Sequence, residues 1–360
     1  MIVLKKPGIC TIIYYMKKNI FLMMQFLCFF AFAASSSKAP EWVLNCENVY
    51  PPENFFSAEG TGDSAEAAKS MALTNLSYYF KTKMSSVRDV NYKQYFKSAE
   101  GRSVVEKEGE ITGSSKIDVD VELNSVEFTE PWRNKKEKKW HCLAFIERES
   151  LWNQYEPELR ASRDSFAGFF SKASKVSEPF EKIRLLQMSR IQGLDFLEKL
   201  SYAEFLSSKR ANEKYGQDIK PLAELPGMIQ GIKNQNPVYI HVSQDSGNAV
   251  YSAVSQIVTE LGFAVVKDRK NAGFDVEVDV SLENYMDSDI YVYSPAVQVN
   301  FSGSAGSLYV YSKDCEKVKV YTESRGVKKC IQLVSDALKN DFSQELKSAL
   351  GEGVKNMAVN

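Results

Sequence analysis

Residues 55–76 read FFSAEGTGDSAEAAKSMALTNL, and this stretch decides the fold of the N-terminal part of the chain. Two phenylalanines lead into a glycine pair, Gly60 and Gly62, and an alanine-rich segment with helical spacing follows. A strand, a glycine turn and the N-terminus of a helix are also the parts of a phosphate-binding loop. The stretch therefore has two interpretations, a nucleotide cradle and a structural corner.

The residues around the glycine pair favour the structural corner. Asp63 lies where a phosphate would bind, and its carboxylate would repel one. Residues 85–92 read SSVRDVNY, which is not the apolar parallel strand that a dinucleotide-binding fold needs. We predict that Asp63 caps the helix, that Glu66 completes a capping box, and that Gly60 and Gly62 permit a sharp turn. We expect no bound cofactor.

The surrounding pattern predicts an α+β domain over residues 40–150, ordered strand–helix–strand–strand. Its helix covers 65–84, with alanines on the face that packs against a sheet. Residues 117–123 (IDVDVEL) alternate strictly and predict a strand. A second strand, 140–146, is expected to pair with it across the basic loop 133-RNKKEKK-139, which we interpret as a solvated hairpin tip.

Acidic side chains alternate along the predicted strand 117–123. Asp118, Asp120 and Glu122 share one face, which we interpret as a solvated strand face. A calcium site or a glycosidase pair would need carboxylates converging from different elements. The polar segment before this strand, 88–112, predicts either an extended strand or a long hairpin arm.

The rest of the chain predicts a helical middle segment, 151–232, and a C-terminal domain, 237–360. The segment 181–200 carries its apolar residues on one helical stripe. Residues 274–282 (FDVEVDVSL) alternate apolar and acidic side chains as a half-buried strand does. The predicted fold class is α+β, with a helical middle segment and a C-terminal α/β domain whose sheet is mixed.

The N-terminus has the parts of a signal peptide. Lys17 and Lys18 precede an apolar segment at 20–32, which ends in the cleavage motif Ala-Phe-Ala. We predict a signal peptide over 1–33, cleaved after Ala33, and a periplasmic or secreted protein. This segment is too short for a spanning helix, which needs about 20 apolar residues.

Six cysteines occur, and Cys28 lies in the apolar leader. Leu27 precedes it where lipoprotein processing needs a small residue, so we expect no lipid anchor and no membrane attachment beyond the removed signal peptide. No Cys-x-x-Cys is present, so neither a zinc site nor a thioredoxin-type site is indicated. Export permits disulfides, and free buried thiols are the alternative. The pairing that respects the predicted domains is Cys46–Cys142 with Cys315–Cys330.

The charge balance argues against a nucleic-acid partner. The chain has a formal net charge of -1, and losing residues 1–33 removes four lysines and no acid. Proteins that bind nucleic acid usually carry a concentrated basic surface. The basic run at 133–139 is short.

Catalytic signals are weak. The two histidines, His141 and His241, each lie inside a predicted strand, and motifs for serine or metal hydrolases are absent from the sequence. We predict a non-catalytic protein; an enzyme would need Asp118, Asp120 or Glu122 to converge with other carboxylates in a pocket. Tyrosines concentrate in the C-terminal domain, either as core or as a binding surface: Tyr285, Tyr291, Tyr293, Tyr309 and Tyr311.

The order Pro40-Glu-Trp, then Gly60-Thr-Gly-Asp-Ser64, then an alanine helix and two strands, resembles the LPP20 lipoprotein family. It is also similar to the N-terminal domain of the periplasmic flagellar assembly protein T. The resemblance covers about residues 40–150. It implies export, residence in the cell envelope and an α+β domain for which no catalytic residue can be carried over. The chain departs from the lipoprotein pattern at Cys28.

Two functional hypotheses follow. The first is an exported non-catalytic envelope protein that acts through protein–protein contacts with other envelope proteins, as an assembly or scaffold component. The alternative is a binding module for an envelope glycan or a small ligand. Burial of the tyrosines favours the first hypothesis, and aromatic side chains around one cleft favour the second.

Overall fold

The structure, a computed structural model, describes residues 38–98 and 125–352, without the side chains of residues 83–98. The signal peptide 1–33, Cys28 and the predicted strand 117–123 with Asp118, Asp120 and Glu122 lie outside the described residues. The chain divides into two compact units. Of the described residues, the first unit comprises 38–76 together with Val126–Phe145, and the second comprises 77–98, Ser125 and 146–352.

The first unit contains the predicted strand and the start of the helix that follows it. The elements are α1 (Glu41–Leu44), α2 (Cys46–Val49), β1 (Phe55–Gly62), α3 (Ala65–Ser98), β2 (Glu127–Phe128), β3 (Trp132–Asn134) and β4 (Lys139–Glu147). The sheet order is β1-β4-β2, and β3 pairs with β4. The strand across the basic loop from β4 is β3, with Trp132 opposite His141. The loop is thus an exposed hairpin tip, as predicted, and the strand that flanks it among the described residues is β3.

Helix α3 is longer than the predicted 65–84, because it continues to Ser98. The expectation of an extended strand or hairpin arm from residue 88 is therefore wrong for residues 88–98. Neither glycine nor proline occurs between Ala65 and Ser98, so no residue interrupts the helical hydrogen bonds. The predicted inner face is confirmed, since Ala68, Ala72 and Leu76 are fully buried.

The second unit contains three consecutive helices after β4, in the region that the sequence predicts to be helical. They are α4 (Arg148–Lys175), α5 (Pro179–Tyr215) and α6 (Ile219–Gln235). Ile183, Leu186 and Leu197 of the stripe are buried. Of the helices in the described ranges, none combines the length and the apolar character that crossing a membrane requires.

A mixed six-stranded sheet completes the second unit, which confirms the predicted fold class. Strand β5 pairs in parallel with β6 and β7, and β8 pairs antiparallel with β7, β9 and β10. The strands are β5 (Val238–Val242), β6 (Val265–Val266), β7 (Phe274–Asp287), β8 (Ile290–Gly303), β9 (Gly306–Asp314) and β10 (Val318–Val320). The helices are α7 (Ala249–Glu260), α8 (Glu323–Ala337) and α9 (Ser343–Ala349), with a π-helical turn, Leu338–Phe342, between the last two.

One face of this sheet carries the core of the second unit. Phe274, Val276 and Val278 of β7 are buried with Val299 and Phe301 of β8. The same cluster takes in residues of α5, α7 and α8. The opposite face holds the alternate residues of each strand, and many of these are exposed. Such a one-sided burial is usual for antiparallel strands.

Candidate functional site

The glycine pair at the end of β1 allows a very close approach of α3. A Cβ atom on Gly60 would lie 2.0 Å from the backbone nitrogen of Ala72 and 2.3 Å from the carbonyl oxygen of Ala68. A Cβ atom on Gly62 would lie 2.6 Å from the nitrogen of Ala68. Neither glycine has a positive φ. Their role is therefore contact between strand and helix backbones, and not the turn conformation that the sequence suggested.

The cap of α3 lies one residue later than predicted. The Ser64 hydroxyl accepts a hydrogen bond from the backbone nitrogen of Ala67 at 3.1 Å, so Ser64 is the N-cap. Asp63 instead accepts from the ammonium of Lys139 at 2.6 Å, and its assignment as the cap is wrong. Glu66 occupies the second helical position, whereas a capping box needs the third. Both Asp and Ser are favourable N-cap residues. Here Asp63 forms the ion pair with Lys139 of β4, and Ser64 caps the helix.

This corner offers little room for a phosphate. The open side of each glycine, where a phosphate would approach the backbone, is occupied by the first turns of α3. Asp63 and Glu66 add negative charge at the N-terminus of the helix, which would repel an anion. The geometry supports close packing of strand and helix as the role of this stretch.

His141 links the hairpin tip to β1. Its Nδ1 lies 2.6 Å from Oε1 of Glu59, and its Nε2 lies 3.3 Å from Oε2 of Glu137. Only the first contact has hydrogen-bond geometry. The Trp132 ring lies beside the imidazole, with 5.6 Å between the centroids. His141 is buried in this network, which fits a structural role, and His241 is exposed on β5.

The four cysteines in the described ranges are free thiols in this structure. Cys142 and Cys330 are buried, and the Sγ of Cys142 lies 3.4 Å from the carbonyl oxygen of Thr129. Burial raises the thiol pKa of Cys142, Cys315 and Cys330, which disfavours the reactive thiolate. The disulfides Cys46–Cys142 and Cys315–Cys330 are not formed here, and for the exported protein they stay a prediction.

A buried carboxylate in the helical part was not predicted from the sequence. Glu156 of α4 accepts a hydrogen bond from the hydroxyl of Tyr215 at 2.7 Å and pairs with Arg160. Lys214 lies 3.5 Å away. Hydrogen bonding to Arg160 lowers the pKa of Glu156 to about 2, with smaller contributions from Tyr215 and Lys214. Burial and the Glu156 carboxylate raise the pKa of Tyr215 to about 12. The hydrogen bond between Tyr215 and Glu156 connects the end of α5 to α4.

We expect Glu156→Gln to lower the free energy of unfolding at pH 7 by about 2 kcal/mol, because the charged acceptor of the buried Tyr215 hydroxyl and of Arg160 is removed. The folded pKa lies below the ordinary value of 4.5, so this stabilisation is complete above pH 4.5 and is lost as the pH falls toward 2. Urea unfolding of both proteins across that range measures the difference. Glu224→Gln, at an exposed position of α6, is the control. A difference between the proteins that does not shrink in acid would contradict the assignment.

We call the end of the β7–β8 hairpin, residues Glu283–Ser294, the arm; its β7 side is exposed, whereas Val292 and Tyr293 on its β8 side are buried. Ser288 and Asp289 form its turn and both have positive φ, 48° and 68°. Tyr285 is 55% exposed and Met286 is 58% exposed. Strand β10 pairs with the β8 side of the arm through Tyr291, Val292 and Tyr293. The β7 side has no pairing partner beyond Val278 among the strands of the described residues, so the arm presents a free strand edge.

The remaining tyrosines belong mostly to the core. Tyr293 and Tyr311 are buried, and Tyr291 and Tyr309 are half-buried. The hydroxyl of Tyr309 donates to Glu345 at 2.6 Å. Burial raises the pKa of Tyr311 to about 12. Of the five tyrosines singled out in the sequence, Tyr285 is the exposed one.

The acids of β7 line the open face of the sheet. Arg269 pairs with Asp275 at 3.0 Å and with Glu277 at 3.2 Å, and Asp279 is exposed. In the part of the chain that the structure describes, no three His, Cys, Asp or Glu side chains are grouped as a metal site would need. The open face is thus a row of carboxylates on one strand, which does not form a converging pair.

No family model matches the chain, and neither does any curated protein. Among solved structures, the chain is similar to the secreted protein HP1454 of Helicobacter pylori, at 15% identity over 80% of this chain and 98% of that one, with a TM-score of 0.25. It is also similar to a minor lipoprotein of Acinetobacter baumannii, at 10% identity over 32% and 94% of the two chains, with a TM-score of 0.23.

A third similar structure is a putative neuraminyllactose-binding hemagglutinin homolog from Helicobacter pylori, at 15% identity over 32% of this chain and 84% of that one, with a TM-score of 0.22. The solved structures to which the chain is similar thus include lipoproteins and a secreted protein. Likeness at these TM-scores carries no argument about function.

Proposed function

We propose that this chain is an exported, non-catalytic protein of the cell envelope that acts through protein–protein contacts, as an assembly or scaffold component. The arm carries this proposal. Tyr285 and Met286 are large side chains, more than half exposed, on the exposed β7 side of the arm. As neighbours on a strand, the two side chains point to opposite faces of the hairpin, so both faces expose apolar surface there. Exposed apolar surface often marks interaction sites, and aromatic residues often contribute most of the binding energy there.

The burial of the other tyrosines supports contact rather than ligand capture. A glycan- or ligand-binding module would place several aromatic rings around one cleft. In this chain Tyr293 packs against Cys330 and Val318, and Tyr311 packs against Phe342. These rings fill the core, so the alternative of a glycan- or small-ligand-binding module has less support.

Export and family membership belong to the same proposal. The parts of a signal peptide at residues 1–33 support a periplasmic or secreted protein without a lipid anchor. The Gly60–Ser64 motif and the alanine helix support membership of the LPP20 lipoprotein family for residues 40–150. The contact between strand and helix at Gly60 gives that motif a physical reason, because only glycine permits it.

Photocrosslinking in the cells that make this protein tests the proposed function. A photoreactive amino acid placed at Met286 should give an adduct with another exported protein, which mass spectrometry identifies. The matched control places it at Tyr78, which is also highly exposed but lies in α3. Two results would contradict the proposal: no adduct with another protein from position 286, or adducts of equal strength from positions 286 and 78.

A further inference from the structure

The arm belongs to a segment of one charge sign. Between Asn271 and Ser312 there are six acidic residues and no lysine, arginine or histidine. Arg269 forms ion pairs with Asp275 and Glu277. The other four acids are exposed: Asp279, Glu283, Asp287 and Asp289. Within the described ranges, none of these four is in an ion pair.

The hairpin tip between β3 and β4 has the opposite charge. Lys139 is paired with Asp63, and Oε2 of Glu137 lies 3.3 Å from Nε2 of His141. Four basic side chains are left exposed: Arg133, Lys135, Lys136 and Lys138. No ion pair to any of the four is found in the described part of the chain. The tip bends sharply, because Asn134 Oδ1 accepts from the backbone nitrogen of Lys136 at 3.1 Å and Lys138 has a φ of 56°.

We infer that the basic hairpin tip of one copy of this chain docks on the acidic arm of a second copy. Both surfaces are exposed in the single chain. The tip offers four unpaired cations, and the arm segment offers four unpaired carboxylates, so the two surfaces match in number of charges. Tyr285 lies between Glu283 and Asp287 in sequence and offers its ring to a lysine ammonium. The charges steer the encounter, and the apolar side chains of the arm add burial.

The contact joins two different surfaces of the chain, because the tip belongs to the first unit and the arm to the second. Two copies that exchange both contacts about a two-fold axis form a closed dimer, whereas a contact made in one direction only leaves a free arm and a free tip, so that further copies add into a ring or a filament. This inference does not depend on the envelope partner proposed above. Acidic residues on a free strand edge can also prevent two such edges from pairing. If the protein is monomeric, preventing that pairing is the remaining role of the arm acids.

Sedimentation velocity over a concentration series, on the protein purified as the cell produces it, tests this inference. We expect self-association at low salt, weakening strongly as the screening length falls from about 30 Å at 0.01 M to about 3 Å at 1 M salt. The arm variant Glu283→Lys/Asp287→Lys and the tip variant Lys135→Glu/Lys136→Glu should each weaken association about tenfold or more.

Combining the arm and tip variants restores opposite charges with their positions exchanged, so association should return to within about threefold of the original. Glu213→Lys/Glu224→Lys changes the net charge as the arm variant does, at exposed positions of α5 and α6, and should leave association unchanged. Circular dichroism checks that each variant folds. A monomer at all concentrations in low salt, an arm variant that associates like the original, or a combined variant without recovery would each overturn the inference. Heteromeric adducts from position 286 would still stand as evidence for the proposed function.

Discussion

Replacing Gly60 with alanine should lower the free energy of unfolding of the first unit by at least about 3 kcal/mol. The new methyl carbon would lie 2.0 Å from the nitrogen of Ala72 and 2.3 Å from the carbonyl oxygen of Ala68, and both are backbone atoms. A flexible side chain could move aside, but α3 can relieve the overlap only by moving away from β1. That movement would expose Ala68, Ala72 and Leu76, which are fully buried.

Differential scanning calorimetry of the full chain measures this effect. The control is Gly168→Ala, because a Cβ atom at Gly168 of α4 has no neighbouring atom within 4 Å. That change should be neutral or stabilise by about 0.5–1 kcal/mol, since alanine favours a helix more than glycine. A Gly60→Ala protein as stable as the original would show that β1 and α3 do not approach as described.

Replacing Lys233 with methionine should destabilise the second unit by about 2–3 kcal/mol. The Lys233 ammonium is buried, donates to the carbonyl oxygen of Leu261 at 2.7 Å and pairs with Glu352 at 2.8 Å. It also lies 5.3 Å from the centre of the Phe263 ring. Methionine keeps the apolar stem but leaves the carbonyl of Leu261, which follows α7, and the Glu352 carboxylate without their cation.

Chemical unfolding monitored by circular dichroism measures this loss. Lys220→Met, at an exposed position of the same helix, is the matched control and should change stability by less than about 0.5 kcal/mol. Equal effects at positions 233 and 220 would mean that the buried ammonium does not hold α6, the end of α7 and Glu352 together.

Much of the fold follows from periodicity in the sequence. Alternation in 274–282 predicts β7, and the helical stripe in 181–200 predicts α5, because each has one face in the core. Periodicity does not predict the length of α3, because the polar C-terminal half of the helix has no apolar stripe that would show where it ends. Periodicity also does not reveal that one side of the arm is exposed. The same two strands pair without interruption from the core to the turn, so the pairing is alike in the buried and the exposed parts.

The contacts of the candidate sites are harder to predict, because they depend on residues distant in sequence. The Asp63 carboxylate faces Lys139, 76 residues away, which leaves Ser64 as the cap. Glu156 meets Tyr215 at a separation of 59 residues. The position of Gly60 before a helix indicates a structural role. The backbone contact that requires glycine there is visible only in the folded structure, in which α3 lies on β1.

The most direct test of the central claim, that this protein works by contact through its arm, is to compare photocrosslinked adducts from positions 286 and 78 in living cells. The proposed function predicts a specific adduct with another exported protein from position 286 and none from position 78. Equal labelling from both positions, or no adduct with another protein from either, would contradict it.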